Sequence, residues 1–126
     1  MATHTIQTTY NGSASRSTTQ SFTGSGAISI SESVSNGGTD VQINVAMDVS
    51  ALKSVWINSD QAVTLETNSG SAADETISLL ANQPYIWYTG SYFTNLLATD
   101  ITAIFITNAS GATATIQIEA TYDATP

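Results

Sequence analysis

The chain has 126 residues and a formal net charge of −8; Ser and Thr supply 37 positions, whereas Lys and Arg together supply 2. Nucleic acids and anionic membrane surfaces are bound through clusters of Lys and Arg, so this composition argues against both as direct partners. No apolar run approaches the length that crosses a bilayer, and the absence of Cys excludes disulfides and thiolate metal sites.

The N-terminal segment predicts an arm attached to a single domain. Residues 3–10 are rich in Thr and indicate an edge strand or an arm. Residues 11–21 have almost no apolar content and indicate a loop that enters a weak strand at Phe22. We therefore predict an N-terminal arm or edge strand over 1–22 and a β-sandwich domain over 23–126.

The most regular alternation of the chain follows. Residues 26–35 place Ile28 and Ile30 opposite a row of Ser, and residues 39–49 alternate in the same way. Between them, Asn36-Gly37-Gly38 supplies residues that accept a positive φ. This pattern predicts a β-hairpin.

Short elements fill the middle of the chain. Residues 50–53 predict a single helical or 3₁₀ turn with Ser50 as its cap. A polar loop is predicted at 68–75, and a turn that ends at Pro84 precedes a strand dense in aromatic residues. The predicted strands are 54–59, 62–67, 76–80 and 85–88.

The last part of the chain predicts a mixed loop over 91–97 and a closing hairpin. The hairpin joins 101–107 to 112–122, with Gly111 as the left-handed residue of its turn. Eight to nine strands, turn signals about every 8–12 residues and no substantial helix are typical of an all-β, single-domain β-sandwich. We predict a jelly-roll-like arrangement of antiparallel strands, with an immunoglobulin-like sandwich as the alternative.

The side chains that could perform chemistry do not converge in the sequence. His4 is the only histidine and lies near the terminus, so a Ser–His type of nucleophile is not indicated. Glu66 and Glu119 lie in alternating strands and are interpreted as outward-facing, and the acidic loop at 74–75 matches no EF-hand spacing. We therefore predict no enzymatic activity, no cofactor and no metal site.

The C-terminal half resembles small virion structural proteins of tailed bacteriophages, in particular capsid decoration (cement) proteins with a jelly-roll β-sandwich. The resemblance is one of texture and segment order, and it covers roughly residues 75–123. It is carried by the segments 75–80, 85–88, 90–95, 101–111 and 118–123. It implies a non-enzymatic protein on the outer capsid surface of the virion, commonly a homotrimer, that clamps neighbouring subunits of the major capsid protein.

Aromatic and aliphatic side chains of the arm and of the C-terminal half are the candidate contacts with the capsid or another partner. They are Ile6, Tyr10, Phe22, Tyr88, Tyr92 and Phe93. The alternative is a receptor- or glycan-binding module of a phage tail tip or fibre, in which the aromatic cluster stacks on sugars; a tail-tube or neck component is a third candidate. Exposure of Trp87, Tyr88 and Tyr92 along one open groove would favour carbohydrate binding.

Overall fold

Ten β-strands and one 3₁₀ turn make up the computed structural model, which describes residues 1–123. The 3₁₀ turn spans Val49–Ala51, and no α-helix occurs between residues 1 and 123. The strands are β1 (Ala2–Asn11), β2 (Ser15–Gly24), β3 (Gly26–Val34), β4 (Val41–Ile43), β5 (Leu52–Ser59), β6 (Val63–Thr67), β7 (Thr76–Leu79), β8 (Tyr85–Tyr88), β9 (Ile104–Thr107) and β10 (Ala114–Tyr122).

Strands β3 to β10 form two four-stranded antiparallel sheets. The first sheet has the order β3-β10-β5-β8 and the second has the order β4-β9-β6-β7. Along the chain, consecutive strands alternate between the two sheets, except that β6 and β7 are neighbours in the second. This connectivity is that of an eight-stranded jelly roll, so the predicted fold class is confirmed. Strands β1 and β2 pair only with each other, which explains ten strands instead of eight or nine.

The core lies between the two sheets and is filled by the inward positions of alternating strands. In β10, for example, Ile116 and Ile118 are fully buried while Gln117 between them is exposed. Each fully buried aliphatic side chain of this kind contributes about 1.5–3 kcal/mol relative to leaving it in water. The alternation in the sequence therefore predicted the buried face of most strands correctly.

Both predicted hairpins are wrong. Strands β3 and β4 lie in different sheets, and so do β9 and β10. Alternation specifies which face of a strand is buried, but it does not specify the strand with which it pairs. The turn residues keep the predicted conformation, with φ of 81° at Gly37 and 95° at Gly111. The two connections bind each other instead, because the Gly37 amide donates to the Asn108 carbonyl and the Asn108 amide donates to the Gly38 carbonyl, both at 2.8 Å.

The segment predicted as a return strand over 39–49 is mostly not a strand. Only Val41–Ile43 is β4, followed by one bridge between Met47 and Ile101. The predicted 3₁₀ turn is present, but its cap is Asp48 and not Ser50. The Asp48 carboxylate accepts hydrogen bonds from the Ser50 amide at 3.0 Å and from the Ser50 hydroxyl at 2.6 Å.

The connections group at the two ends of the sandwich. One end holds the loops 44–51, 68–75 and 89–103, together with the junction at Ser25 between β2 and β3. We call it the ribbon end. The opposite end, here the far end, holds the loops 35–40, 60–62, 80–84 and 108–113.

Candidate interaction surfaces

The N-terminal segment forms a two-stranded ribbon. Strands β1 and β2 pair along their full length, from Ala2 opposite Gly24 to Asn11 opposite Ser15. The prediction of a loop over 11–21 is therefore wrong, because most of that segment belongs to β2. That prediction relied on apolar content, which a ribbon outside the core does not need. The pairing of the two strands is stabilised instead by hydrogen bonds between hydroxyl groups, such as those of Thr3 and Thr23, whose oxygens are 2.9 Å apart.

The two faces of the ribbon differ in chemistry. One face presents hydroxyls and amides throughout, from Thr3, Thr5, Gln7, Thr9 and Asn11 on β1 and from Ser15, Ser17, Thr19, Ser21 and Thr23 on β2. The other face carries the large side chains His4, Ile6 and Phe22 near its base, and Tyr10 opposite Arg16 near its tip. The ribbon is thus amphipathic.

The base of the ribbon is fixed to the outer face of the first sheet. Phe22 is only 9% exposed, and its ring centroid lies 5.2 Å from that of Tyr88 on β8. Gly24 passes so close to β10 that an added Cβ would lie 2.2 Å from the Tyr122 carbonyl oxygen, which requires glycine there. The Ser25 amide donates to Asp123 at 3.1 Å, and Asp123 also pairs with Lys53 at 3.2 Å.

The distal half of the ribbon extends into solvent. Residues 7–19 are exposed on both faces, and the Tyr10 side chain near the tip is 74% exposed. An isolated two-stranded hairpin is at best marginally stable in water. Each strand of the ribbon also has one edge without a partner strand among residues 1–123. Unpaired strand edges are templates for pairing with another chain.

A cleft of about 570 Å³ separates the ribbon from the outer face of the first sheet. Residues 3–7 of β1 line one side of it. Ser54, Trp56, Ile86 and Glu119 line the other side. Successive side chains of a strand point to opposite faces, so a cleft on one face would be lined only by every second residue. Residues 3–7 all line this cleft, which means that it borders the free edge of β1.

Glu119 is placed in the floor of the cleft by its neighbours. It lies opposite Ser29 and Trp56 in the paired strands, and its Oε2 accepts a hydrogen bond from the Ser29 hydroxyl at 2.6 Å. A second depression of about 370 Å³ shares Trp56 and Glu119 and continues along the sheet to Gln117. The cleft therefore combines an aromatic ring, a carboxylate and a strand edge.

The loop that follows β8 presents a second exposed aromatic surface at the ribbon end. Tyr92 is 100% exposed and Phe93 is 80% exposed. The Trp87 indole fixes this loop by donating to the Phe93 carbonyl at 3.1 Å. We refer to residues 90–97 as the aromatic loop.

Tyr85 holds the other side of the aromatic loop. Its hydroxyl accepts a hydrogen bond from the Leu96 amide at 2.8 Å and donates to Asn95 Oδ1. Burial raises the pKa of the Tyr85 phenol above its ordinary value of 10.0, and hydrogen bonds from the Leu96 and Leu97 amides partly oppose this. The neutral phenol is therefore the form that the folded chain favours.

The structure places the six candidate contact residues in different environments. Tyr10, Tyr92 and Phe93 are exposed and Ile6 is half-buried, whereas Phe22 and Tyr88 pack against each other. Sequence reasoning did not select Trp56, which lines the cleft. Its outward position could have been read from β5, where the residues on both sides of it, Val55 and Ile57, are buried.

Charge is divided unequally between the ribbon and the sandwich. All ten carboxylates of the chain lie after residue 24, whereas the ribbon contains Arg16 and His4 and no acidic residue. The carboxylates of the 68–75 loop are engaged locally, since Asp74 accepts from the Asn68 side-chain amide at 2.7 Å and Glu75 accepts from the Thr67 hydroxyl at 2.9 Å. Within residues 1–123, no three His, Asp or Glu side chains are grouped so that they could hold a metal ion.

Comparisons with known protein families, with curated proteins and with solved structures found no match. Between residues 1 and 123 there is no helix that is both long enough and apolar enough to span a membrane.

Proposed function

We propose that this chain is a non-enzymatic capsid decoration (cement) protein, located on the outer surface of a tailed-phage head, where it stabilises contacts between subunits of the major capsid protein. The observation that carries the proposal is the ribbon. Its base is fixed to a jelly-roll body by Phe22, while residues 7–19 extend into solvent with strand edges that pair with no other strand of residues 1–123. Such an element suits a protein whose task is to attach to other proteins.

The chemistry of the ribbon supports attachment by strand addition. A strand that pairs with an exposed edge gains main-chain hydrogen bonds, and its side chains contribute specificity. Hydroxyl groups such as those of Thr5 and Ser21 can hydrogen-bond across a contact without the desolvation cost of burying charges. The ribbon is therefore suited to lie along a neighbouring sheet.

The aromatic loop supports a second contact on the same side of the molecule. Tyr92 and Phe93 expose large apolar surfaces, and aromatic side chains are enriched at protein–protein interfaces. Tyr88, against which the ribbon packs, lies two residues before the start of this loop. Two modest contacts on one molecule, repeated over a capsid lattice as a homotrimer, would give strong retention through effective concentration.

The rival assignment to a glycan-binding module gains no support from the aromatic cluster named for it. Trp87 packs against the core and donates its indole N–H to Phe93, and Tyr88 packs against Phe22. Only Tyr92 of the three discriminating residues is fully exposed. The three side chains therefore do not form one open stacking platform.

The test is reconstitution on capsids. Purified chain is mixed with heads of the phage that encodes it, prepared without this protein, and binding is measured by co-sedimentation and then located by electron cryomicroscopy. We expect saturable binding on the outer surface at sites that bridge major capsid protein subunits. Absence of binding, or location on the tail, would overturn the proposal.

Variants separate the two contacts. Deletion of residues 1–22 is expected to leave a folded domain that binds heads poorly, and Tyr10→Ser tests the ribbon without removing it. Phe93→Ser tests the aromatic loop. Leu80→Ser is the matched control, because Leu80 is also an exposed apolar residue, 57% accessible, but follows β7 at the far end. Undiminished binding by the deletion variant would remove the ribbon from the mechanism.

A further inference from the structure

We propose that the tip of the ribbon of one copy of this chain docks in the cleft of a second copy. The tip carries Tyr10 and Arg16, which face each other across the two strands and are both exposed. The cleft offers Trp56, Ile86 and Glu119. In this pairing, the Tyr10 ring can pack against Trp56 and Ile86, and the Arg16 guanidinium can pair with the Glu119 carboxylate.

Charge favours this occupant. Copies of a chain with a net charge of −8 repel one another at long range. The ribbon has no carboxylate, and Arg16 is its only Arg or Lys; the other cation of the chain, Lys53, pairs with Asp123 in the sandwich. Glu119 lines the cleft that faces a neighbouring copy's tip in this arrangement. The ribbon is therefore the element of this chain that an acidic body of the same chain attracts.

Apolar surface favours it as well. Tyr10 is 74% exposed and Ile86 is 42% exposed. Both side chains are large; that of Ile86 is aliphatic, and that of Tyr10 is apolar except for its hydroxyl. Burying a Tyr side chain removes about 150–250 Å² from water, and its hydroxyl can stay at the wet margin of the contact. Docking would cover both side chains together, with Trp56 beside them.

The backbone supplies a third match. The free edge of β1 borders the cleft along residues 3–7, and the incoming ribbon has free edges of its own. Pairing of these edges satisfies N–H and C=O groups that otherwise face water. The contact can therefore use main-chain hydrogen bonds as well as charge.

The contact forms between copies and not within one. The cleft lies beside residues 3–7, at the base of the ribbon, and an extended strand that rises about 3.3 Å per residue carries Tyr10 about 10 Å beyond Gln7. A tip-to-cleft contact joins two different surfaces, so it is head-to-tail: it gives a ring where the rotation between copies closes and an open filament where it does not. Three copies would make the homotrimer proposed above.

The experiment is analytical ultracentrifugation of the full chain in the absence of capsids, so its outcome is independent of the capsid role. We expect the mass to rise with concentration above the 13.1 kDa of the monomer, to at least twice that value. Arg16→Glu and Glu119→Arg should each weaken association by about tenfold or more, the effect of losing one ion pair of roughly 1.4 kcal/mol. The double variant, with both charges reversed, should regain association.

Controls keep the result specific. The Arg16 side chain makes no hydrogen bond or ion pair with residues 1–123, so Arg16→Glu should leave the circular dichroism spectrum unchanged. Glu32→Arg makes the same charge change as Glu119→Arg on an exposed position outside the cleft, and it should associate like the unaltered chain. A monomer at all concentrations, association unaffected by both single reversals, or a double variant as weak as the singles would overturn the inference.

Discussion

The rings of Phe22 and Tyr88 lie with their centroids 5.2 Å apart and their planes inclined by 37°. Phe22 belongs to the ribbon and Tyr88 belongs to β8, at the edge of the first sheet. This ring contact joins the base of the ribbon to the sandwich, together with the close approach of Gly24 to β10 and the hydrogen bond from the Ser25 amide to Asp123. The orientation of the ribbon therefore depends in part on one aromatic pair.

Replacement of Phe22 by Ala should release the ribbon without unfolding the sandwich. The lost burial is worth about 1.5–3 kcal/mol, which corresponds to roughly a 10- to 150-fold increase in the population of the detached ribbon. Trypsin reports it, because Arg16 and Lys53 are the only Lys and Arg residues and Lys53 lies within β5. We expect faster cleavage after Arg16, followed by mass spectrometry, and a nearly unchanged midpoint of thermal unfolding. Thr23→Ala, on the hydroxyl face, is the control; equal rates for both variants would contradict this role of Phe22.

A buried hydroxyl pair lies on the outer face of the first sheet. Ser54 and Thr121 are 3% and 0% exposed, and their hydroxyl oxygens are 2.6 Å apart. Thr121→Val leaves the Ser54 hydroxyl buried without a partner and should lower the free energy of unfolding by about 1–3 kcal/mol. Ser54→Ala combined with Thr121→Val should cost less than the sum of the single changes, as measured by urea denaturation. Additive costs would show that the pair is not coupled.

Asn108 is expected to be the most sensitive polar residue at the far end. It is fully buried, its side-chain amide donates to the Val34 and Ala112 carbonyls at 3.0 and 2.8 Å, and its Oδ1 accepts from Ser110. Asn108→Ala should lower the free energy of unfolding by about 2–3 kcal/mol, because it leaves buried carbonyls unpaired. Asn36→Ala is the control.

The Asn36 side chain is exposed, and among the described residues it accepts one hydrogen bond, from the Gly111 amide at 3.1 Å. Its replacement should cost about 0.5–1 kcal/mol. Equal losses of stability at the two positions in chemical denaturation would show that burial of Asn108 is not what makes its hydrogen bonds valuable.

The raised pKa of Tyr85 should cause part of the free energy of unfolding to be lost in alkaline solution. Burial raises the pKa of its phenol in the folded chain, so the folded state binds the phenolic proton more tightly than the unfolded state does. This contribution is complete below the unfolded pKa of about 10 and is lost as the pH rises through the higher folded value. Tyr85→Phe should be less stable at neutral pH and should lack this alkaline component. Parallel stability–pH curves between pH 8 and about 11 for the two proteins would contradict it.

The buried faces of the strands were predictable, and the strand partners were not. Val41, Ile43, Val45 and Met47 are on one side of an alternating segment, and all four lie on the core side in the structure. In a jelly roll, however, most strands are followed by a turn that leads to the opposite sheet. A turn rich in Gly can connect two strands of a hairpin or two strands of different sheets, so its sequence does not distinguish the two. The pairing of β4 with β9 depends on residues about 60 positions apart, as Val41 opposite Ile106 shows.

The ribbon was predictable only in part, for a different reason. Hydrophobic periodicity measures burial, and β2 is mostly exposed, so Ser15 to Ser21 left no signal. These residues form a strand because they pair with β1 along its length, and because Thr favours extended backbone. Trp56 was overlooked because aromatic residues were sought in clusters, whereas it is isolated between buried neighbours on β5.

The separation of the two ends of the sandwich has a practical consequence. The ribbon, the cleft and the aromatic loop are the surfaces proposed above as contacts, and each of them involves the ribbon end or the first sheet. The turn around Ser110 lies at the far end. A fluorophore or an epitope attached at an exposed residue of the far end, such as Leu80, would lie away from the base of the ribbon and from the aromatic loop. In the proposed function, the far end is thus the place to attach cargo with the least effect on the base of the ribbon and the aromatic loop.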